Sequence, residues 1–402
     1  MSELTIRGRS LTLALATICA VLTSAFNGCS DEPTAANAPV VALPLTTLLV
    51  RDTTIVAAAS STYRQYIPTN GAVNLVGRSG IYSAMALIQF GSLPARDTAL
   101  VYSANLTLRF ETWFGDSAGQ LSFNIYRILL PWNQGTATWD TVQAPGFYEQ
   151  YVVRGSYSAG AGRDTQSVTI PLDTAMVRQW WSPSSPTYSP WGILLVPTGG
   201  SSVIRGFHEY GYTTDSASSG YYPSVQIIAG SPTGSIRDTA TYSVSFDTWV
   251  GNAENLPTNP QLIYVQSGVD YRSTLAFDVS FIPRGAVINS ADLLLTNDPA
   301  TTRVNRFMTD ASFNLATTLS SSDRSALDRP PVLGARRTGN LLTYAADMTR
   351  PVQIWNTLPN YGVTLSPSPF DETTSFELLT FFNEKAPPSL RPRLKLKYSV
   401  VR

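Results

Sequence analysis

Apolar and polar residues alternate with a period close to two along much of this chain. In ANLTLRF, Leu106, Leu108 and Phe110 share one face while Asn105, Thr107 and Arg109 share the other, which is the pattern of a strand with one buried side. RLKLKY near the end repeats it, with Leu394, Leu396 and Tyr398 against Arg393, Lys395 and Lys397. Charges on the open face of such a strand discourage edge-to-edge association. FGDSAG at 114, SPSSPTYSP at 182 and TGGSS at 198 supply turns between strands. Together these features predict an all-β chain of antiparallel sandwiches rather than βαβ units. The helix candidates are DTAMVRQWW at 173 and DMTRPVQIW at 347, each opening on an Asp able to cap a first turn. Pro351 limits the second to a short turn.

The chain also repeats itself. RDTTI at 51 answers RDTAT at 237, SAMALIQF at 83 answers STLAFDVS at 273, and SANLTLRF at 103 answers SADLLLTN at 290. PLDTAMVRQW at 171 answers AADMTRPVQIW at 345, WGILLV at 191 answers YGVTLS at 361, FHE at 207 answers FNE at 382, and YPSVQII at 222 answers RPRLKLK at 391. Each match is weak, but their unchanged order points to a duplicated fold. The expected organisation is a signal segment at 1–28, a tether at 29–48, and two sandwiches at 49–230 and 231–402.

These segments resemble the DNRLRE family of secreted β-sandwich domains, which is related to disaggregatase-like repeats and some carbohydrate-binding modules. In the first half the resemblance runs through Phe90 with Pro94, Ser103 to Leu108, Pro131 to Trp139, Asp173 to Trp180, Gly192 to Leu195, Glu209, and Pro223 to Ile228. In the second it runs through Phe277, Pro283, Ser290 to Leu295, Asp347, Trp355, Gly362, Glu384, and Pro392 to Tyr398. The PWNQGTATWD element at 131 has no counterpart there. The resemblance implies two tandem antiparallel jelly-roll-like β-sandwiches, a surface or secreted location and, in some members, glycan binding. It does not imply an enzyme.

Composition narrows the partners. The net charge is zero and no basic run occurs, so the clustered cations that neutralise phosphates are missing and nucleic acid is not an expected partner. Arg7 and Arg9 precede an apolar run from Leu11 to Phe26 and then Asn27, Gly28 and Cys29. A charged start, an apolar stretch too short for a typical spanning helix, and small residues describe an export signal. FNGC resembles a lipobox, with Cys29 as the lipidated residue and membrane contact through that lipid; Phe26 and Glu3 depart from the usual pattern. The segment 30–48 holds Pro33, Pro39 and Pro44 and no clear period, as befits a tether. The expectation is an exported outer-membrane lipoprotein.

Catalytic signatures are sparse. His208 is the one histidine, and there is no GxSxG, HExxH, phosphate loop or paired-Cys motif. A carboxylate pair for glycoside cleavage could draw on Glu111, Asp116, Glu149 and Glu209, but nothing selects two of them. Asp116, Asp140 and Asp215 offer hard oxygens that suit calcium, without EF-hand spacing, so calcium is the only cofactor left open. Aromatic rings can stack on sugar faces, and the first half is rich in them. Candidate ligand contacts are Trp132, Trp181, Trp113, Tyr210 and Glu209. Trp132 sits beside its proline at a loop edge, and Trp181 adjoins Trp180, so the two rings cannot both point inward on a strand. Core filling is the competing role for every one of these tryptophans, and Trp139 is expected in the core. The functional expectation is a non-catalytic cell-surface binding module with a glycan as favoured ligand. A structural envelope protein and a carbohydrate-active enzyme are the alternatives.

Overall fold

The computed structural model describes residues 48–401 apart from 70–72, 92, 94–99, 161–165, 210–220, 232–236, 255–257, 304–312, 329–332 and 339–342. Strands of the first repeat are β1 (Leu48–Val56), β2 (Ala59–Arg64), β3 (Val73–Ser79), β4 (Tyr82–Phe90), β5 (Leu100–Gly115), β6 (Leu121–Arg127), β7 (Gly155–Ala159), β8 (Ser167–Pro171), β9 (Ile193–Pro197), β10 (Val203–His208) and β11 (Ser224–Gly230). Those of the second are β12 (Arg237–Ala253), β13 (Leu262–Gln266), β14 (Tyr271–Ala276), β15 (Val287–Thr296), β16 (Phe313–Thr317), β17 (Leu333–Thr338), β18 (Thr343–Asp347), β19 (Val363–Pro367), β20 (Leu378–Phe382) and β21 (Arg393–Val401). Among the described residues four short helices intervene: α1 (Trp139–Gln143), α2 (Thr174–Trp181), α3 (Thr349–Trp355) and α4 (Pro369–Thr374). The chain is all-β, its named strand pairings are antiparallel, and it forms two sandwiches. No helix among the described residues is long and apolar enough to cross a membrane.

Much of the pairing recurs in both copies. β5 joins β8 and β11 as β15 joins β18 and β21. β9 lies between β4 and β6 as β19 lies between β14 and β16. Turn chemistry matches too. Gly192 and Gly362 both enter their strands at positive φ, 85° and 84°. A Cβ at either would stand 2.0 Å from the Ile88 carbonyl oxygen or 2.4 Å from that of Leu275. Only glycine meets both demands.

Each copy nevertheless lacks one strand of its own. β12 opens the second repeat, yet it pairs with β11 and then with β4 of the first. β1 and β2 open the first repeat, yet they pair with β21 and β14 of the second. The expected boundary at 230/231 divides the repeats in sequence, and the sheets cross it in both directions. Side chains follow the backbone: Val244 and Tyr242 of β12 pack in the first core, while Ala57 and Ile55 pack in the second. A third apolar cluster joins Val73, Leu75 and Ile204 to Val269 and Phe376 across the two copies.

The alternating positions behave as their period requires. Leu106, Leu108, Leu394 and Leu396 are buried, whereas Lys395 and Lys397 are exposed. α2 begins at the Asp173 cap, whose carboxylate accepts from Ala175 N at 2.8 Å. Asp347 accepts likewise from Thr349 N at 2.8 Å. Pro351 falls in the first turn of α3, where a backbone N–H has no helical acceptor, so the helix runs on to Trp355. PWNQGTATWD forms no hairpin. Asn133 Oδ1 accepts from Gly135 N at 2.7 Å, and Thr138 with Thr141 makes a capping box that starts α1. This segment covers the outer face of the first sandwich, over Met85, Leu87, Leu194 and Val250.

Because each sandwich borrows a strand, the repeats depend on one another. Residues 49–230 expressed alone are expected to aggregate or remain unfolded, since β4 and β11 lose the partner that covers them. Co-expressed chains ending at 233 and beginning at 234 are expected to co-purify as a 1:1 complex. Independent, monomeric folding of residues 49–230 in a thermal melt would contradict the exchange.

Candidate functional site

The ligand contacts suggested by sequence do not assemble into one site. Trp181 is buried at 1% exposure, which corrects its reading as the exposed member of its pair. The rule invoked applies to strands. On α2, Trp180 and Trp181 are both held against the first core, Trp180 beside Phe90 with ring centroids 5.8 Å apart and Trp181 edge-on to Tyr242 at 6.4 Å. Trp132 is half-buried in the outer cover, and its Nε1 donates to the Trp191 carbonyl at 2.9 Å. Trp139 is half-buried in the same cover. Trp113 packs half-buried against the first core with the Arg205 guanidinium 5.7 Å from its ring centre. Glu209 is buried. Tyr210, Asp215 and Cys29 lie outside the described residues.

The other acids have structural partners. Glu149 bridges Arg127 and Arg154 at 3.0 and 2.8 Å. Glu111 faces His208 Nε2, and the imidazole stacks on Tyr221 with centroids 5.4 Å apart. Burial, with Arg109 nearby, lowers the His208 pKa; burial raises that of Glu111 against the pull of Arg109. Both therefore lean toward their neutral forms. Asp116 accepts from Ala118 N within its turn, and Asp140 lies in the first turn of α1. Among the described residues no three His, Cys, Asp or Glu side chains gather to hold a metal ion.

An aromatic cleft of about 410 Å³ opens at one end of the first sandwich. Trp180 and Phe90 line it from the core, Leu93 from the loop after β4, and Tyr188 from the segment leading to β9. Phe246 completes it from the borrowed strand β12. The ladder between β12 and β4 shifts register between Val244 and Phe246, so the strand bulges there. Val244 stays in the core while Phe246 emerges at 49% exposure. Tyr188 is 40% exposed, giving two accessible rings beside a buried indole. Ser245 Oγ donates to the Gln89 carbonyl at 3.1 Å and pins the bulge. The sequence does not signal this site: in SVSFDTW a straight strand would put Val244 and Phe246 on one face, and the bulge separates them.

A second constellation sits where β2 leaves the second sandwich for β3. Asp270 has φ of 62°, the only positive value at a non-glycine position among the described residues. Its Oδ2 accepts from Ile67 N at 2.8 Å, while its buried Oδ1 has no hydrogen-bond donor. Arg64, the last residue of β2, donates to the Val269 carbonyl and to Asn252 Oδ1. Arg272 pairs with Glu372 of α4 at 2.6 Å, both largely buried. Burial, reinforced by Glu372 and opposed by Ile67 N and the two arginines, pushes the Asp270 pKa up to about 7. Burial also raises Glu372 and Asp371, against Arg272 and Ser368 respectively. This group clamps the crossover between the two copies.

No protein-family model matches the chain, and no curated protein does either. The likeness to DNRLRE domains thus rests on the quoted segments alone.

Raised carboxyl pKa values make folding proton-linked. Between about pH 4 and 7 the folded state holds a proton on Asp270 that the unfolded chain releases, so stability falls as pH rises, by about 1.4 kcal/mol per pH unit for one such group. Asp270→Asn keeps an acceptor for Ile67 N and carries no charge. It is expected to raise the melting temperature at pH 8 and to change it little near pH 4. Equal shifts at both pH values in thermal melts would contradict this role.

Proposed function

We propose that this chain is an exported, lipid-anchored, non-catalytic binding module whose ligand is a glycan. The observation that carries the reading is the cleft where Tyr188 and Phe246 stand half-exposed beside Trp180. Accessible rings at a shallow opening suit the C–H faces of sugars, and the neighbouring Gln89 and Ser245 suit hydroxyls. A bulge is a frequent device for re-aiming a side chain at a functional position, and here it brings Phe246 to the cleft. FNGC at 26–29 supports the anchor, and Pro33, Pro39 and Pro44 support a tether that keeps the body off the membrane. A structural spacer is the second reading, favoured by the burial of Trp181 and by the strands that lock the copies together.

Affinity gels loaded with xylan, alginate, laminarin or polygalacturonate separate the two readings. Retardation of the full chain by at least one polymer is expected. Phe246→Ala and Tyr188→Ala should each weaken it by roughly 10-fold, from about 1–1.5 kcal/mol for a lost stacking ring. No retardation by any polymer would favour the spacer. Cys29→Ser is expected to shift the protein from the membrane fraction to the soluble exported fraction, as read by fractionation and immunoblotting.

A further inference from the structure

The second sandwich has a cleft of about 350 Å³ at the matching place. It lies beside the crossover helix α3 and the loop after β14, as the first lies beside α2 and the loop after β4. Trp355 occupies the position of Trp180. Both indole N–H groups are buried without an acceptor, so the same unmet donor recurs in each copy.

The linings have diverged in chemistry. Where the first cleft presents Tyr188 and Phe246, the second presents Asp278, Ser280, Arg284, Asn356 and Asn360. These polar groups are held in place. Asn360 Nδ2 donates to the Phe277 carbonyl at 2.7 Å, and its Oδ1 accepts from Gly362 N at 2.9 Å. Asn356 Nδ2 donates to the Ala286 carbonyl at 3.0 Å, which leaves its Oδ1 as an acceptor. Hydrogen bonds from Ser280 hold the exposed Asp278 carboxyl below its usual range, so it is ionised at neutral pH. Arg284 is exposed and makes no ion pair among the described residues. Carboxylate and amide groups held beside an indole, with an exposed guanidinium at the rim, bind hydroxyls edge-on, in the plane of a sugar ring, rather than by stacking.

We propose that the cleft around Trp355 is a second saccharide site, taking a hydroxyl-rich sugar unit through polar contacts, so that one chain grips a polysaccharide at two points. This rests on the glycan reading of the first cleft. Two sites within one body make the second contact intramolecular, and affinity for a polymer then exceeds that for its fragments by a factor on the order of 100.

The test is calorimetry on the full chain, with the polysaccharide that retards it in gels and with short oligosaccharides cut from that polymer. The expected stoichiometry is two oligosaccharides per chain. Arg284→Ala combined with Asp278→Ala, both exposed and remote from either core, should reduce it to one and lower polymer affinity on the order of 100-fold. Phe246→Ala combined with Tyr188→Ala, which removes both stacking rings, should also leave one site, the polar one. A single equivalent in the unaltered chain, lost when Phe246→Ala and Tyr188→Ala are combined and untouched by Arg284→Ala with Asp278→Ala, would overturn the second site and leave the first standing. No binding of any saccharide would overturn both, and unchanged circular dichroism of the variants would show that folding is not the cause.

Discussion

Backbone hydrogen bonds across the repeat boundary are the constraint on which everything else in this protein rests. A sheet edge cannot be left open and buried at once, and in each sandwich the strand that covers it comes from the other repeat. β12 runs from β11 on to β4, and β1 with β2 runs from β21 to β14. The exchange is reciprocal, so neither copy can be completed first at the expense of the other. It also places the links between β2 and β3, and between β12 and β13, as crossings between bodies. Arg64, Asp270, Arg272 and Glu372 gather at the first of these, with a proton-sensitive carboxyl where a neutral residue would have been less costly.

The same exchange shapes the clefts. Phe246 reaches the first one only because β12 belongs to the first sandwich, and only because the strand bulges after Val244. A duplicated fold supplies two copies of every surface feature, and here the two have separated into an aromatic and a polar version. Trp180 and Trp355 keep the shared floor. Divergence has acted on the rim, in loops and strand ends whose substitution leaves the cores untouched.

Much of the fold was legible in the residues, because the signals concerned are local. Alternation in ANLTLRF and RLKLKY identifies strands and their buried faces, the order of repeated segments identifies two copies, and Asp173 marks a helix start. Pairing partners are another matter. That RDTTI answers RDTAT says the two segments play one role, and it does not say which sheet either joins. The candidate site was less legible. Trp181 was misplaced by treating a helical pair with strand geometry, and PWNQGTATWD, rich in rings, turned out to be a cover held by the Trp132 bond to Trp191. Tyr188 and Phe246 carry no motif, since a bulge and a loop decide their exposure. Asp270 became conspicuous only through its left-handed backbone and the absence of a donor to Oδ1, neither of which a sequence displays.

Leu48 stands opposite Val401 in the ladder of β1 with β21. Any pull transmitted by the preceding segment therefore enters the sandwich made mostly of the C-terminal half, through the ladder of β1 with β21. The repeat that comes first in sequence is thus mechanically the more distant from such a pull, and its cleft is sheltered from tension borne by the other sandwich.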